Sequence, residues 1–386
     1  MTMIQVTDVP ARNMHTACNN YRSLVPDLLF EDVQEERIDE IRPYLEQLMD
    51  VDERVPLHRL TVFLTYACNL DCPYCKTIAR SADELRMFPQ KAHQFDMEAF
   101  RTLLDSLLPA PIRHLHFTGG EAALLNDLPA MVRYAREMGV DHISVTTNGT
   151  LPERRYASLV ASGINEIRVS IDARDAELGE ALTGRKRAWP KAVDNLRFLS
   201  SLRSQFPGLF LIANTVVTAA NRAEIGEIVR FLAALRVNDI KLITVVQEKG
   251  TLGDFPEASA VVTQIEDLLR EYPTEAFPLL RRKLRTVFNP DSIGLSEVTG
   301  ESRRDWRCYI PLTERTVDSL YYYPCSVYLR EGGTPLGRID DPQEVQRAKT
   351  AEFVRNGNCL DDPICSSYCL HCTRAYNVAA NAARGE

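Results

Sequence analysis

The chain has 386 residues, 45% of them hydrophobic, enough to bury a large core in one big domain or two to three smaller ones. Its 45 Lys and Arg against 53 Asp and Glu leave a net charge of -8 with no long block of one sign, which argues against nucleic acid or a membrane surface as partner. The N-terminus lacks a basic stretch followed by an apolar one, and no stretch is apolar for long enough to cross a bilayer, so a cytoplasmic protein is expected. In that reducing setting the ten cysteines read as metal ligands or reactive thiols rather than disulfides.

Residues 1–57 are mostly polar, with one amphipathic stretch, "ERIDEIRPYLEQLM", and read as an N-terminal extension or cap. From residue 58 short β-branched runs alternate with segments of helical period. The strands expected are "LTVFLTY" (60–66), "HLHFTG" (114–119), "HISVTTN" (142–148), "EIRVSID" (166–172), "LFLIANTVV" (209–217) and "DIKLITVV" (239–246). Between them run helical stretches such as "DMEAFRTLLDSLL", "LPAMVRYAREMG" and "RAEIGEIVRFLAALR". Six βα units fall short of a closed eight-stranded barrel. Residues 58–288 are therefore expected to form an α/β fold, an open, partial (β/α)6 TIM-like barrel with its chemistry at the C-terminal ends of the strands. Near Asn289 the alternation is lost, and six of the ten cysteines lie beyond it. Residues 289–386 thus read as a small cysteine-rich domain held by metal rather than by a large core.

Just after the first strand, "YACNLDCPYCK" sets Cys68, Cys72 and Cys75 within eight residues. A structural zinc site closes with four ligands, and no fourth cysteine lies within thirty residues. Three unliganded thiols beside Asp71 and Pro73 are poor core material. A 4Fe-4S cluster held by three thiolates, with one iron open to a ligand, accounts for the number.

This Cys-x3-Cys-x2-Cys spacing, with Tyr74 before the last Cys, resembles the radical S-adenosylmethionine (radical SAM) enzymes. Later strand ends extend the resemblance over about residues 58–246. "FTGGEAALL" carries Gly119, Gly120 and Glu121, which the resemblance assigns to the methionine amino group of SAM; alone they read as a tight βα turn. "TTNGT" carries Asn148, also half of a plain turn dipeptide. In "IRVSIDA", Ser170 and Asp172 share one face of a strand, where the family holds the ribose hydroxyls, or else they end the strand and cap a helix. Asn214 and Val216 correspond to positions that touch the adenosine. Related enzymes carry an Arg after the Ser-x-Asp strand; here "LTGRKRAW" offers Arg185 or Arg187.

The tail supplies Cys308 and Cys325 at the ends of a hairpin-like stretch, then Cys359, Cys365, Cys369 and Cys372. It resembles the C-terminal extensions called SPASM and twitch, which implies one or two auxiliary 4Fe-4S clusters. The expected grouping is Cys308, Cys325 and Cys369 around one cluster, with Cys359, Cys365 and Cys372 left for a second. A zinc knuckle of Cys365, Cys369, His371 and Cys372 is the competing reading.

The resemblance implies reductive cleavage of SAM to a 5'-deoxyadenosyl radical, hydrogen abstraction from a substrate, and an external electron donor such as flavodoxin or ferredoxin. An auxiliary cluster would suit a radical SAM oxidoreductase acting on a carbinol or sugar-like carbon of a natural-product small molecule; a spare thiol would suit an epimerase. A SPASM-type peptide maturase is the alternative, though residues 1–57 look short for a peptide-binding domain. A non-catalytic iron–sulfur electron-transfer protein would explain the cysteines but not Gly119, Gly120, Glu121, Ser170 and Asp172. No general base is identified, since none of the seven histidines sits in a recognisable catalytic context.

Overall fold

The computed structural model describes residues 59–78, 81–107, 112, 114–140, 142–244, 258–286, 308, 311 and 314–368. The 1–57 extension, Cys369, His371 and Cys372 lie outside the described residues. All six expected barrel strands are present: β1 (Arg59–Thr65), β2 (His114–Gly119), β3 (His142–Thr147), β4 (Glu166–Ser170), β5 (Phe210–Val217) and β6 (Asp239–Thr244). Each pairs parallel with the next, and helices such as Met97–Leu107, Leu128–Glu137, Ala188–Leu202 and Ile225–Ala234 run between them. The result is an open, partial (β/α)6 barrel.

Alternation along the strands sorts the side chains to two faces. Leu60, Val62, Leu115, Phe117, Ile143, Val145, Ile167 and Val169 join one core cluster with helix residues such as Phe100, Met131, Leu196 and Ile228. The opposite face carries Thr61, His114, His116, His142, Ser144, Glu166, Arg168 and Asn214, all buried and all polar. Hydrophobic burial drives the outer layer together, while the inner face must satisfy its polar groups by pairing.

The strands beyond Asn289 do not stand apart from the barrel. β7 (Glu314–Val317) pairs parallel with β1, in register from Arg59 with Glu314 to Val62 with Val317. β8 (Tyr321–Tyr323) and β9 (Gly337–Arg338) follow antiparallel, giving one nine-stranded sheet ordered β6-β5-β4-β3-β2-β1-β7-β8-β9. Val317 and Tyr322 belong to the barrel's own core cluster. Among the described residues no helix is long and apolar enough to cross a membrane.

Candidate functional site

Because the six barrel strands are parallel, their C-terminal ends share one rim, and the loop carrying Cys68, Cys72 and Cys75 leaves β1 there. The loop is held from several sides. Gly120 N–H donates to Thr65 O at 2.7 Å and Glu121 N–H to Ala67 O at 2.8 Å. Asn148 Nδ2 donates to Asn69 Oδ1 at 2.8 Å and points at Cys68 Sγ at 3.8 Å. Tyr74 Oη donates to Asp172 Oδ2. At the end of helix Ala176–Thr183, Thr183 O accepts from Asp71 N–H at 3.1 Å and from the Cys72 thiol at 4.0 Å.

Gly119 and Gly120 lie against the backbone of β1 and the cysteine loop. A Cβ on Gly119 would lie 2.2 Å from Thr65 O, and one on Gly120 2.2 Å from Ala67 O. The close approach the glycines permit is therefore to β1 and the cysteine loop. Glu121 is held within the protein as well. Its carboxylate is fully buried and accepts from Ala123 N–H at 3.0 Å, Thr147 Oγ1 at 2.7 Å and Asn148 N–H at 2.6 Å. The carboxylate braces the loop after β2 against the end of β3. Of the two candidate arginines in "LTGRKRAW", both Arg185 and Arg187 are exposed. It is Gly184 before them, at φ 66°, that touches the loop, its missing Cβ leaving room for Asp71 O.

The ends of β4 and β5 form the other wall. Ser170 pairs in register with Asn214, and Asp172 Oδ1 accepts from Val216 N–H at 2.7 Å. Burial pushes the Asp172 carboxyl up to about 6, against the opposing pull of the Tyr74 and Val216 hydrogen bonds. Asn214 is 4% exposed, and its Oδ1 accepts no hydrogen bond among the described residues. A buried acceptor left open at a strand end is available to a donor from a ligand or a water.

The donor chemistry of the loop fits a metal cluster. Burial raises the Cys68 thiol, and burial followed by the charge of Asp172 raises Cys72 to about 12. Thiols held protonated in this way become thiolates when a cation takes the place of their protons. In the tail, Cys359 is buried against Cys308 and Cys365, whose thiols drive its own thiol strongly upward. Cys325 is raised by burial and then by Cys365, and its Sγ accepts from Tyr328 N–H at 3.4 Å. The structure thus gathers Cys308, Cys325, Cys359 and Cys365, members of both expected sets, while Cys369 and Cys372 lie outside the described residues. Among the described residues, no three His, Cys, Asp or Glu side chains form a ready-made site for a single metal ion. A cluster differs in presenting separate irons to separate thiolates.

One constellation escaped the sequence reading. His114 Nε2 and His116 Nδ1 both bond Ser144 Oγ at 2.7 Å, and His142 Nε2 bonds Glu166 Oε2 at 3.2 Å, with Arg168 on the other oxygen of Glu166. The rings of His114 and His142 lie 4.9 Å apart. Burial, with Arg59 beside His114 and Arg168 beside His116, holds both imidazoles well below their usual range and hence neutral. Burial alone would raise Glu166, but Arg168 and His142 bring it down to about 2. The signal was the polar-apolar alternation of "HLHF", which sends both histidines of β2 to the inner face.

Comparison with known proteins agrees with this geometry. Residues 62–232 match the Radical SAM superfamily. A GTP 3',8-cyclase of Chlorobaculum tepidum is 33% identical over 153 residues, 39% of this chain and 44% of that protein. A GTP 3',8-cyclase of Corynebacterium glutamicum is 35% identical over 133 residues, covering 33% of this chain and 34% of that one. The chain thus spans less than half the length of either. Streptococcus suis SuiB bound to precursor peptide SuiA shares the fold with a TM-score of 0.57 at 17% identity, over 85% of this chain and 70% of that one. anSMEcpe with bound AdoMet and a peptide does so with a TM-score of 0.55 at 16% identity, over 86% of this chain and 99% of that one.

Proposed function

We propose that this chain, whose residues 62–232 match the Radical SAM superfamily, binds SAM and a three-cysteine 4Fe-4S cluster to oxidise or epimerise a carbinol or sugar-like carbon of a small molecule. The observation that carries the reading is the Tyr74–Asp172 hydrogen bond, which joins the cysteine loop to the β4 and β5 ends that would receive the nucleoside.

Cys68, Cys72 and Cys75 are the ligands of the cluster in this reading. When bound, cluster and SAM supply a 5'-deoxyadenosyl radical, the reagent that takes a hydrogen atom from the substrate. The protein's own part is position and exclusion of water. Asn214 Oδ1 accepts a hydrogen bond from the ligand, and Asp172, fixed by Tyr74 and Val216, faces the ribose hydroxyls together with Ser170. Gly119 and Gly120 bring the second strand end against the loop. A carbinol that loses a hydrogen atom, then a proton and an electron, becomes a ketone. Cys308, Cys325, Cys359 and Cys365 supply ligands for an electron acceptor, and Cys369 and Cys372 follow them in the sequence as further candidates.

The test is release of 5'-deoxyadenosine by the anaerobically reconstituted chain given SAM and dithionite. Release is expected; none would overturn the reading in favour of an electron-transfer protein. A second reading, a peptide substrate, draws on the likeness to SuiB and anSMEcpe, both seen with peptides. Transfer of deuterium into 5'-deoxyadenosine from labelled small molecules or labelled peptides separates the two.

A further inference from the structure

The helix Ser326–Arg330 starts at Cys325 and ends against the first barrel strand. Its last residues make three separate contacts there. Leu329 packs with Phe63, Tyr66 and Tyr323. Glu331 pairs with Lys76, one residue past the cysteine loop, at 2.6 Å. Arg330 lays its guanidinium over the Phe63 ring at 5.5 Å.

Phe63 is 1% exposed and lies on the inner, polar face of the sheet, so Arg330 is turned toward the barrel interior. There it lies within electrostatic reach of both thiol groups, feeling Cys75, then the adjacent Glu331 that Lys76 pairs, then Cys325. Yet Arg330 itself is exposed, and among the described residues its guanidinium makes no hydrogen bond or ion pair. An arginine with five donors, held in place by neighbours on either side and left without an acceptor, is built for one that arrives from outside.

The surroundings set the sign of that arrival. Arg59, Arg168, Lys241 and Arg330 all bear on His116 from the inner face. The carboxylates of that face have partners of their own: Glu166 is taken by Arg168 and His142, Asp172 by Tyr74 and Val216, and Asp318 by Tyr66 and Tyr323, while burial pushes Asp239 and Glu314 each up to about 7. A chain of net charge -8 thus encloses a cationic interior, and such a cleft concentrates anions that the outer surface repels.

We propose that Arg330 anchors an anionic group of the substrate, a carboxylate or a phosphate, over Phe63 between the three-cysteine loop and the four tail thiols. The role rests on the functional reading above, since it places the substrate within reach of both cofactor sites. The guanidinium fork takes two oxygens at once, which fixes orientation as well as position.

The test uses the reconstituted full chain with succinate as the carboxylate probe and pyrophosphate as the phosphate probe. Phenylglyoxal labelling of Arg330, read by peptide mass spectrometry, should slow by roughly tenfold or more with one probe, while labelling of exposed Arg185 and Arg187 is unchanged. The probe that protects identifies the class of anion. Calorimetry should show that Arg330→Gln weakens that probe by roughly 10- to 100-fold, Arg330→Lys by less, and that neither changes SAM affinity. Failure of both probes to protect overturns the proposal, and so does an equal loss of SAM affinity in Arg330→Gln, which would make the arginine a SAM ligand. Protection of Arg330 in a chain that releases no 5'-deoxyadenosine would leave the anion site standing and remove the radical reading alone.

Discussion

Tyr74 and Asp172 stand 98 residues apart in the chain and share one hydrogen bond, phenol to carboxylate, that ties the cysteine loop to the fourth strand. The other oxygen of Asp172 is bound to Val216 N–H, so loop, β4 and β5 meet at a single side chain. Tyr74→Phe removes the donor and leaves the ring. It should cost roughly 1.5–3 kcal/mol, as for a hydrogen bond to a charged group. The expected outcome is a lower melting temperature together with faster loss of iron to a chelator, and unchanged iron retention would disconnect the bond from the loop's order.

Glu121 makes a sharper distinction. With its carboxylate given over to Ala123, Thr147 and Asn148, truncation leaves three buried donors unsatisfied. Glu121→Ala should therefore destabilise the chain by several kcal/mol, about 1–3 for each donor. Calorimetric SAM affinity of the folded fraction should fall far less than stability does. A variant that melts like the parent but binds SAM poorly would return the residue to the ammonium role.

Gly120→Ala would put a methyl group 2.2 Å from Ala67 O, where backbone rather than a flexible side chain must yield. Overpacking of this kind costs roughly 1–3 kcal/mol. The shift is directed at the cysteine loop, so iron incorporation should drop along with the midpoint of denaturant unfolding. Full incorporation would show that the loop has room to move.

The two thiol groups should be separable by stoichiometry. Replacing Cys68, Cys72 and Cys75 with Ala should remove about four irons after anaerobic reconstitution and leave four or more. Cys325→Ala and Cys359→Ala should instead deplete the tail while preserving SAM cleavage. Loss of all iron from the triple variant would mean that the tail holds no cluster.

Asp239 supplies a pH test. Its carboxyl accepts from Leu279 and Leu280 N–H at 2.9 and 3.2 Å at the start of helix Pro278–Thr286, and burial raises it to about 7. The folded chain then holds a proton that the unfolded chain releases near pH 4. Its stabilising contribution is present below that pH and is lost as pH rises from about 4 to about 7. Asp239→Asn, which keeps an acceptor but cannot ionise, should flatten this part of the melting-temperature profile between about pH 4 and 7. An unaltered slope would assign the effect to other groups.

The barrel was legible because each strand carries its own period-two signal, and the observed ends differ from the expected ones by at most a few residues. The cysteine loop and the residues at the strand ends were legible from spacing. Helix Ala176–Thr183 was passed over although its signals were present: Asp175 caps it through Leu178 N–H at 3.0 Å, and Gly184 closes it with a left-handed φ. The contacts of Glu121 and the paired glycines within the protein were not legible, because a local motif does not say which neighbour it faces. The histidine cluster and the four tail thiols depend on register between strands and on packing across long stretches of chain, which no window of sequence contains.

The parallel ladder between β1 and β7 also bears on how the molecule can be dissected. A truncation made near Asn289, where the sequence character changes, would strip β7 from its partner and bare a row of backbone N–H and C=O groups along Arg59–Val62. Such an unpaired strand flank invites pairing with another copy, so the shortened barrel should aggregate rather than stand alone.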